Sequence, residues 1–451
     1  MATLIPFRGL LYDTARVPAL DAVIAPPYDV ISATLSDDLR ARDPHNVIHI
    51  DLPEGHVPEK YTVAARRLAR WVDEGILVRD DRPSIYVVSQ RYSLPGMPAR
   101  VRWGFICLLR IEEEATGIVL PHEKIMDAPR ADRMELTAAT RAQVSPIFVL
   151  YADPAGGMSR LVEETGKRPA DNRAVDDAGV ETRLWRLADP ALTGRVLQGL
   201  KSHKLWIADG HHRYAAARCL RDRWRSRTPC AAGPRSYDYQ MAYVSNIDAP
   251  GLSVLPYHRV LRGIPAQESA ALAEKLESHF EVERFLFDAP AHRAEQIRHL
   301  LREAARAGRP AIGLYAGGGE FSLLLWKQAE AGASPLAELP EPLRRLDVEV
   351  LHHAILEPLL GVSEDVSRGG ARLRYTPEIE QAVTWVDGST DQLAFLLNAP
   401  DHAHMQAVAE AGLRMPQKST FFYPKVPTGL VIHPLDPVED VAQGDGISGE
   451  Q

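Results

Sequence analysis

One stretch of the chain passes from a strand to a helix with almost no loop between them. Lys204–Ala208 is a short apolar run typical of a buried strand, and Asp209–Arg213, which reads Asp-Gly-His-His-Arg, follows directly. The next segment, from Tyr214 to about Arg225, favours a helix. Gly210 permits the tight turn that this junction requires. A strand and a helix joined in this way must pack together in one layered unit, which restricts the possible folds.

Strand and helix patterns also occur along the rest of the chain, which predicts a mixed α/β (α+β) protein. Ser84–Ser93 and Arg100–Ile111 are two alternating segments joined by a Pro-Gly link, so a hairpin is expected. Ser145–Tyr151 has the pattern of a buried strand. From about Gly263 onward, helical and strand patterns alternate, beginning with a predicted helix over Gln267–His279.

The length of 451 residues suggests roughly two to three domains. The sequence predicts an N-terminal segment at 1–103 that packs on the core, a middle domain at 104–262 and a C-terminal α/β domain at 263–435. The acidic, glycine-rich tail at 436–451 is predicted to be disordered.

Composition excludes several classes of protein. The net charge of −8 argues against nucleic-acid binding as the main role, because such binding needs a basic surface. Three scattered cysteines do not suit a disulfide framework or a zinc site. No apolar run approaches the roughly 20 residues of a membrane span, and the N-terminus lacks a secretory signal pattern. We therefore expect a soluble, cytoplasmic protein.

The segment Asp209–Arg213 is the strongest candidate for a functional site. Backbone N–H groups at a helix N-terminus attract anions, and two histidines and an arginine add donors that suit phosphate oxygens. Cations are unfavourable at this end of a helix unless an anion is bound. Two alternatives stay open: a simple cap of a surface helix, and a metal site. Adjacent helical histidines point roughly 100° apart, which suits one metal poorly.

A second candidate is Glu123 in the sequence Pro-His-Glu. A carboxylate at a strand end beside His122 is a candidate general base, and the alternative is a solvated surface glutamate. Downstream, a helix is predicted from about Asp132 to Ala142, with Asp132 as its cap and Glu135 three residues later. The charged residues between these elements form either a solvated loop or the lip of a polar cleft.

A third candidate is the segment Met415–Lys425, which holds two of the nine lysines among aromatic residues. It is too rich in prolines and β-favouring residues for a helix. Lys418 and Ser419 are placed to reach a phosphate or a carboxylate, and the alternative is a structural strand.

Seven motifs occur together in one order. The motifs lie at Ala25–Ile31, Pro121–Glu123, Asp132–Arg133, Ser145–Phe148, Ala208–Arg213, Leu255–Arg259 and Met415–Lys425. With these motifs, the chain resembles the bacterial family catalogued as domain of unknown function one thousand and fifteen, over nearly its whole length up to about Leu435.

The Asp-Gly-His-His-Arg element also resembles that of the ADP-dependent free-serine kinases, which have a ParB/sulfiredoxin-like fold. This resemblance implies such a core in the middle domain, with phosphate binding by residues 209–213 and Glu123 as the base for the acceptor hydroxyl. It implies a nucleotide, ADP or ATP, with Mg²⁺ that Asp209 helps to hold. The activity implied is phosphoryl transfer to a small hydroxyl-bearing metabolite, with free serine as the first candidate.

The motifs and the resemblance together imply the following site residues. Catalytic roles go to Glu123, His211, His212 and Arg213, cofactor binding to Asp209, Gly210, Lys418 and Ser419, and substrate binding to Tyr28, Asp29, His122, Arg133 and Ser145. The segments around Tyr28 and Lys418 are predicted to fold onto the cleft beside residues 209–213, because stiff irregular backbone suits a site wall.

Two other functions remain open from the sequence. One is a ParB-like nucleotide-binding regulator that clamps nucleic acid, for which no helix-turn-helix is evident. The other is a metabolite-binding protein that keeps a phosphate pocket without catalysis. The expected partners are a small-molecule substrate and a nucleotide, and the sequence does not define the oligomeric state.

Overall fold

The computed structural model describes residues 1–227, 233–264, 272, 275–327, 334–363, 372–389 and 392–435. The predicted helix over Gln267–His279 lies largely outside these residues, and the predicted tail at 436–451 lies wholly outside them. Among the described residues, no helix combines the length and the apolar composition needed to cross a bilayer.

The described chain forms two compact units. The first unit contains residues 1–121, 125–253 and the chain from 424 onward, and the second contains 122–124 and 254–423. The N-terminal segment at 1–103 therefore belongs to the same unit as most of the middle domain. The chain enters the second unit within the strand Ser253–Leu255.

A nine-stranded sheet forms the centre of the first unit, counted over the described residues. The predicted hairpin is confirmed within it, since Ile85–Tyr92 and Arg100–Arg110 pair antiparallel. Leu4–Ile5 pairs with Arg100–Arg110 off the main path. The order across the sheet is Val119–Leu120, Leu205–Asp209, Ile147–Tyr151, Tyr239–Asn246, Arg100–Arg110, Ile85–Tyr92, Glu181–Leu187 and Asn172–Val175.

The middle strands of this sheet are buried on both faces. Every residue of Ile147–Tyr151 and of Tyr239–Asn246 is buried, and the two strands run parallel. Ile147–Tyr151 is a continuous apolar run, as expected of a parallel strand covered on both faces, and its prediction as a buried strand is confirmed. Val149 and Val244 belong to the same core cluster as Tyr214 on the following helix.

Helices and two small sheets complete the first unit. Leu10–Tyr12 pairs with Leu77–Arg79, and Ala142–Gln143 pairs with His433–Pro434. Short 3₁₀ turns occur at Tyr28–Val30, Glu114–Thr116, Thr165–Lys167 and Ser236–Asp238. The α-helices are Leu20–Val23, Ala33–Arg42, Ile48–Asp51, Glu59–Asp73, Asp127–Thr140, Gly157–Glu164, Pro190–Gly199 and His211–Arg227.

One predicted helix start is wrong. The helix begins at Asp127 rather than at Asp132, and its cap position is Met126. Pro129 lies in the first turn, where a missing N–H costs nothing because those groups have no intrahelical partner. Asp132 is therefore inside the helix, and its carboxylate is available for tertiary contacts.

The second unit is built on a six-stranded sheet of described strands. Its order is Phe280–Leu286, Glu320–Trp326, Ala311–Gly317, Gln392–Leu397, His258–Arg262 and Leu373–Thr376. Ala311–Gly317 and Glu320–Trp326 pair antiparallel, so the glycines between them form a hairpin turn. The α-helices are Arg293–Arg306, Glu341–Arg344, Asp347–Leu351, Glu357–Leu360, Ile379–Asp387 and His402–Glu410, with a π-helical turn at His352–Leu356 and a short strand at Phe421–Tyr423.

Candidate functional site

The predicted strand-to-helix junction is present in the first unit. The strand Leu205–Asp209 ends at Asp209, and the helix His211–Arg227 begins two residues later. Gly210 between them has a φ of 88°. The strand also shifts register against its neighbour between Ile207 and Asp209, a bulge of the kind often found beside active sites. The first N–H groups of the helix have no intrahelical acceptor, which makes this end suited to an anion.

Gly210 is expected to be required for this geometry. A Cβ atom there would lie 2.9 Å from Ile147 Cγ2, in addition to the cost of positive φ. We expect Gly210→Ala to lower the free energy of unfolding by about 1–3 kcal/mol in urea titrations. Gly194→Ala is the matched control, because a Cβ there meets nothing within 4 Å, and it should raise stability by about 0.5–1 kcal/mol. Equal effects of the two changes would contradict the role of the turn.

Two cations share the carboxylate of Asp209. Arg213 Nη2 donates to Asp209 Oδ2 at 2.5 Å, and Lys425 Nζ donates to Oδ1. The Arg213 and Lys425 side chains are each 9% exposed. The junction therefore places one carboxylate and two cationic side chains beside the N–H groups that open the helix, a setting in which an anion can be bound.

Arg213 also links the helix to the start of a neighbouring strand. Its Nη1 donates to Ser145 Oγ and to the carbonyl oxygen of Pro146. Two predicted site residues, Arg213 and Ser145, are thus in direct contact. Within the described part of the chain, Nε of Arg213 is buried and has no hydrogen-bond partner.

Arg133 is held by two aspartates. Its Nη1 donates to the carbonyl oxygen of Asp51 at 2.8 Å and to Asp51 Oδ1 at 3.0 Å, and its Nε donates to Asp132 Oδ2 at 3.0 Å. The guanidinium lies 4.3 Å from the ring centre of Tyr28. Burial raises the pKa of Asp51, although the Arg133 and Arg213 charges oppose that shift. The predicted residues Tyr28 and Arg133 therefore pack against each other.

The second aspartate on Arg133 is fully engaged. Lys60 Nζ and Tyr61 Oη donate to Asp132 Oδ1 at 2.7 and 2.8 Å. Burial would raise the pKa of Asp132, but the Arg133 charge and these hydrogen bonds outweigh it and hold the pKa at about 2.

Tyr28 shares an electrostatic environment with Arg213 as well as with Arg133. Burial, reinforced by the charge of Asp29, raises the pKa of Tyr28 to about 12, while Arg133 and Arg213 act to lower it. Asp29 itself is exposed. The N-terminal segment thus contributes an aromatic hydroxyl to the surroundings of the junction.

A small cavity lies between the two arginines. It has a volume of about 40 Å³, and its polar lining includes Asp51, Arg133, Ser145 and Arg213. Its apolar wall includes Ile50, Leu136, Val144, Ala216 and Ala217.

Arg102 is a further cation that sequence reasoning missed. It is fully buried, and its Nη2 donates to Gln90 and to the Pro424 carbonyl. The guanidinium lies 4.6 Å from the ring centre of Phe148 and 5.3 Å from that of Tyr243. Burial lowers its pKa, whereas Tyr243, Tyr92 and Asp209 act to raise it. Its Nε and Nη1 have no hydrogen-bond partner among the described residues, so this charge adds to the positive potential on the same sheet.

Other predicted residues come together in the second unit. Glu123 Oε1 accepts from the backbone N–H of Lys418 at 2.9 Å. His122 Nε2 lies 3.0 Å from Thr420 Oγ1, and Ser419 Oγ donates to the Pro416 carbonyl at 2.6 Å. The two motifs are almost 300 residues apart in sequence, so no local pattern marks this contact.

Lys418 has a constrained backbone in this arrangement. Its φ is 57°, an uncommon value for a residue with a side chain. Its Nζ lies 3.4 Å from Tyr257 Oη and 5.0 Å from the centre of that ring. Arg259 donates to the Lys418 carbonyl at 3.2 Å. The loop is therefore fixed by side chains from several segments.

That Glu123 and Lys418 lie beside residues 209–213 stays a prediction. In the first unit, His211 is buried and His212 is half-buried at the start of the helix. Over the described ranges, no group of three or more His, Cys, Asp or Glu residues is arranged to hold a metal ion. The role of Asp209 in holding Mg²⁺ also stays a prediction.

Family membership follows from comparison with known sequences. The family model described as "Protein of unknown function (DUF1015)" matches residues 4–349. The chain belongs to this family. The DUF1015 resemblance seen in the motifs is thereby confirmed. Among curated proteins, none matches the chain.

Solved structures similar to this DUF1015 chain include free serine kinases. A free serine kinase variant in complex with ADP is 13% identical, with 75% of this chain and 96% of that chain covered and a TM-score of 0.34. A conserved hypothetical protein from Pyrococcus furiosus is 14% identical, covering 69% and 90%, with a TM-score of 0.34. SbnI from Staphylococcus aureus, truncated at its C-terminus, is 12% identical, covering 72% and 85%, with a TM-score of 0.35. The mixed α/β class is confirmed by the structure itself, and these low scores carry no argument about activity.

Proposed function

We propose that this protein transfers a phosphoryl group from a nucleotide to a small hydroxyl-bearing metabolite, with free serine as the first candidate acceptor. The observation that carries the proposal is the pairing of Arg213 and Lys425 with the single carboxylate of Asp209 at a helix N-terminus. Such a junction offers backbone donors and positive charge to the same anion.

Phosphoryl transfer depends mainly on positioning and on neutralising the charge of the moving group. In the proposal, the N–H groups that open the helix His211–Arg227 and the side chains of His211 and His212 bind phosphate oxygens. Arg213 and Lys425 stabilise the developing negative charge. Gly210 lets the phosphate approach the backbone closely, because no side chain stands there.

The acceptor hydroxyl needs a base. In the proposal, Glu123 takes this role, with Lys418 as a further cation for the nucleotide and Ser419 as a donor. Tyr28, Asp29, His122, Arg133 and Ser145 would contact the acceptor. Mg²⁺, when bound with the nucleotide, would neutralise phosphate charge. Both oxygens of Asp209 already accept from cations, so we assign no protein step to the metal.

The substitution Glu123→Gln distinguishes the proposed role of Glu123 as a base from its structural role in holding the Lys418 loop. Glutamine keeps the Oε1 acceptor that receives the Lys418 N–H, so the loop should stay in place. We expect the turnover number to fall by roughly 10²–10⁴-fold while nucleotide affinity is unchanged. Measured kcat and the dissociation constant of ADP test this directly. Equal loss of both would assign Glu123 to structure alone.

A non-catalytic nucleotide-binding role is the second candidate. It is favoured by one observation, that the Glu123 carboxylate accepts a backbone hydrogen bond and so has a structural use independent of catalysis. Under this account a nucleotide binds and is never consumed.

The deciding experiment is a thermal-shift screen of ADP, ATP and CTP with and without Mg²⁺, followed by a phosphate-transfer assay with serine and related alcohols. The proposal expects a nucleotide-dependent rise in melting temperature and a phosphorylated product. A rise in melting temperature without product would select the binding role. No response to any nucleotide would overturn the proposal. Binding of nucleic acid that weakens as salt is raised would favour a ParB-like regulator.

A further inference from the structure

Gln90 and Arg102 form a buried polar pair on the central sheet of the first unit. They lie directly opposite each other on the adjacent strands Ile85–Tyr92 and Arg100–Arg110, so their side chains project from the same face of the sheet. Gln90 is 1% exposed and Arg102 is fully buried. Arg102 Nη2 donates to Gln90 Oε1, which holds the two side chains together.

This pair binds two successive backbone carbonyl groups of a segment that is remote in sequence. Arg102 Nη2 donates to the Pro424 carbonyl oxygen at 2.6 Å. Gln90 Nε2 donates to the Lys425 carbonyl oxygen at 2.9 Å. The chain returns to the first unit at Pro424, so both hydrogen bonds are made at the first residues after this return. Lys425 Nζ in turn donates to Asp209, so the lysine is held at its backbone and at its ammonium group.

The burial of Arg102 is not explained by packing alone. A buried guanidinium is costly to desolvate, and an apolar side chain of similar volume is often at least as stable in its place. The rings of Phe148 and Tyr243 lie 4.6 and 5.3 Å from the guanidinium and would pack equally well against an apolar side chain. The hydrogen bonds of Nη2 to Gln90 and Pro424 are what an apolar side chain would not provide.

We propose that Arg102 and Gln90 are positioning residues that hold Lys425 in place for contact with a bound phosphate. The inference rests on the proposed function, because that function assigns Lys425 to the phosphate site. A lysine side chain is a flexible four-carbon stem, and a group that is ordered before the ligand arrives loses less entropy on binding. The competing accounts are that the Arg102 charge acts on the phosphate directly, and that the pair only stabilises the fold.

A double-mutant cycle on ADP affinity distinguishes these accounts. In calorimetric titrations of the full-length protein, Lys425→Met and Arg102→Met should each weaken ADP binding about tenfold, as expected for loss of one charge-assisted hydrogen bond. Because Arg102 acts through Lys425, the double variant should bind ADP within about twofold of Lys425→Met. A loss of about 100-fold in the double variant would assign a direct charge effect and overturn the proposal. Unchanged ADP affinity in Arg102→Met would also overturn it.

Gln90→Met provides the same test without removing a charge. This variant loses the donor to the Lys425 carbonyl, while Arg102 keeps the Pro424 carbonyl as an acceptor. It should weaken ADP binding in the natural background and have no further effect in Lys425→Met. Unchanged ADP affinity in Gln90→Met would contradict the proposal even if Arg102→Met does not fold. Arg91→Met is the control, because Arg91 is an exposed neighbour on the same strand, and it should leave ADP affinity unchanged.

Chemical labelling of lysine amines tests the positioning without a nucleotide. The Lys425 side chain is 9% exposed, whereas that of Lys167 is 77% exposed and serves as the internal reference. Mass spectrometry after treatment with acetic anhydride should show Lys425 reacting at least about fivefold faster in Arg102→Met and Gln90→Met, because a loosened side chain is exposed more often. Unchanged labelling of Lys425 would overturn the proposal. Faster labelling in variants of a protein that binds no ADP would overturn the proposed function and leave the hold on Lys425 standing.

Discussion

Replacing Arg213 with methionine is expected to abolish binding of a phosphate-bearing ligand and to destabilise the first unit. The change removes the 2.5 Å ion pair with Asp209 and the contacts with Ser145 and Pro146. Breaking a buried ion pair by removing one partner costs about 3–5 kcal/mol, although Lys425 still pairs with Asp209 and reduces this cost. We expect a loss of about 3 kcal/mol in unfolding free energy and at least about 100-fold in ADP affinity.

Two control variants show whether the loss of ADP affinity comes from the charge of Arg213, from the planar shape of its guanidinium, or from any change on this helix. Arg213→Lys keeps the charge and loses the planar fork, so ADP affinity should be intermediate. Arg218→Met removes a more exposed arginine of the same helix, which pairs with Glu114, and should cost less than about 1 kcal/mol without changing ADP affinity. If Arg213→Met binds ADP as the natural protein does, the junction is not the phosphate site.

Replacing Arg133 with methionine is expected to give the largest loss of stability. Asp51 then loses the only ion pair recorded for it among the described residues, and it is 3% exposed. Asp132 keeps Lys60 and Tyr61. An uncompensated buried carboxylate costs about 3–5 kcal/mol, and urea unfolding of the variant should show a loss in this range.

A double-mutant cycle tests the cause of that loss. Adding Asp51→Asn to Arg133→Met should restore at least about 1 kcal/mol, because the buried charge is removed with its partner. Arg130 lies three residues earlier on the same helix and pairs with Asp127, which is 92% exposed. Arg130→Met should therefore have little effect on the free energy of unfolding. Additive effects of the Arg133 and Asp51 changes would mean that the pair is not coupled.

The parts of the fold that could be predicted are those encoded by neighbouring residues. The junction at Asp209–Arg213 follows from an apolar run, a glycine and a helical pattern in sequence order. The hairpin of Ile85–Tyr92 and Arg100–Arg110 follows from alternation on both sides of a turn. The one clear failure near the site is the start of the helix at Asp127. Pro129 lies in the first turn, where its missing N–H breaks no helical hydrogen bond, so a proline at this place does not mark the limit of the helix.

The rest of the candidate site depends on contacts that no local pattern encodes. Lys425 reaches Asp209 across 216 positions, and Arg133 reaches Asp51 across 82. Arg102 lies in an ordinary strand, and only its burial without a carboxylate partner among the described residues distinguishes it. A weak signal was present for Lys425, since it is one of only nine lysines and lies in a proline- and aromatic-rich segment.

The predicted placement of the Tyr28 and Lys418 segments beside residues 209–213 stays a prediction. Tyr28 lies in the first unit, against Arg133 and within the electrostatic influence of Arg213. Lys418 lies in the second unit, where Glu123 accepts from its backbone N–H. The contact between Glu123 and Lys418 shows that two motifs remote in sequence form one structural element. Whether this element supplies Glu123 and Lys418 to the phosphate is the part of the proposal that the Glu123→Gln kinetics address.

The measurement that most directly tests the central claim is a crystal structure of the protein with ADP. We expect the diphosphate at the N-terminus of the helix His211–Arg227, with its oxygens accepting from the first backbone N–H groups and lying within hydrogen-bond distance of Arg213 or Lys425. ADP bound elsewhere in the first unit, or no bound ADP from crystals grown with the nucleotide in large excess, would contradict the assignment of Asp209–Arg213 as the phosphate site.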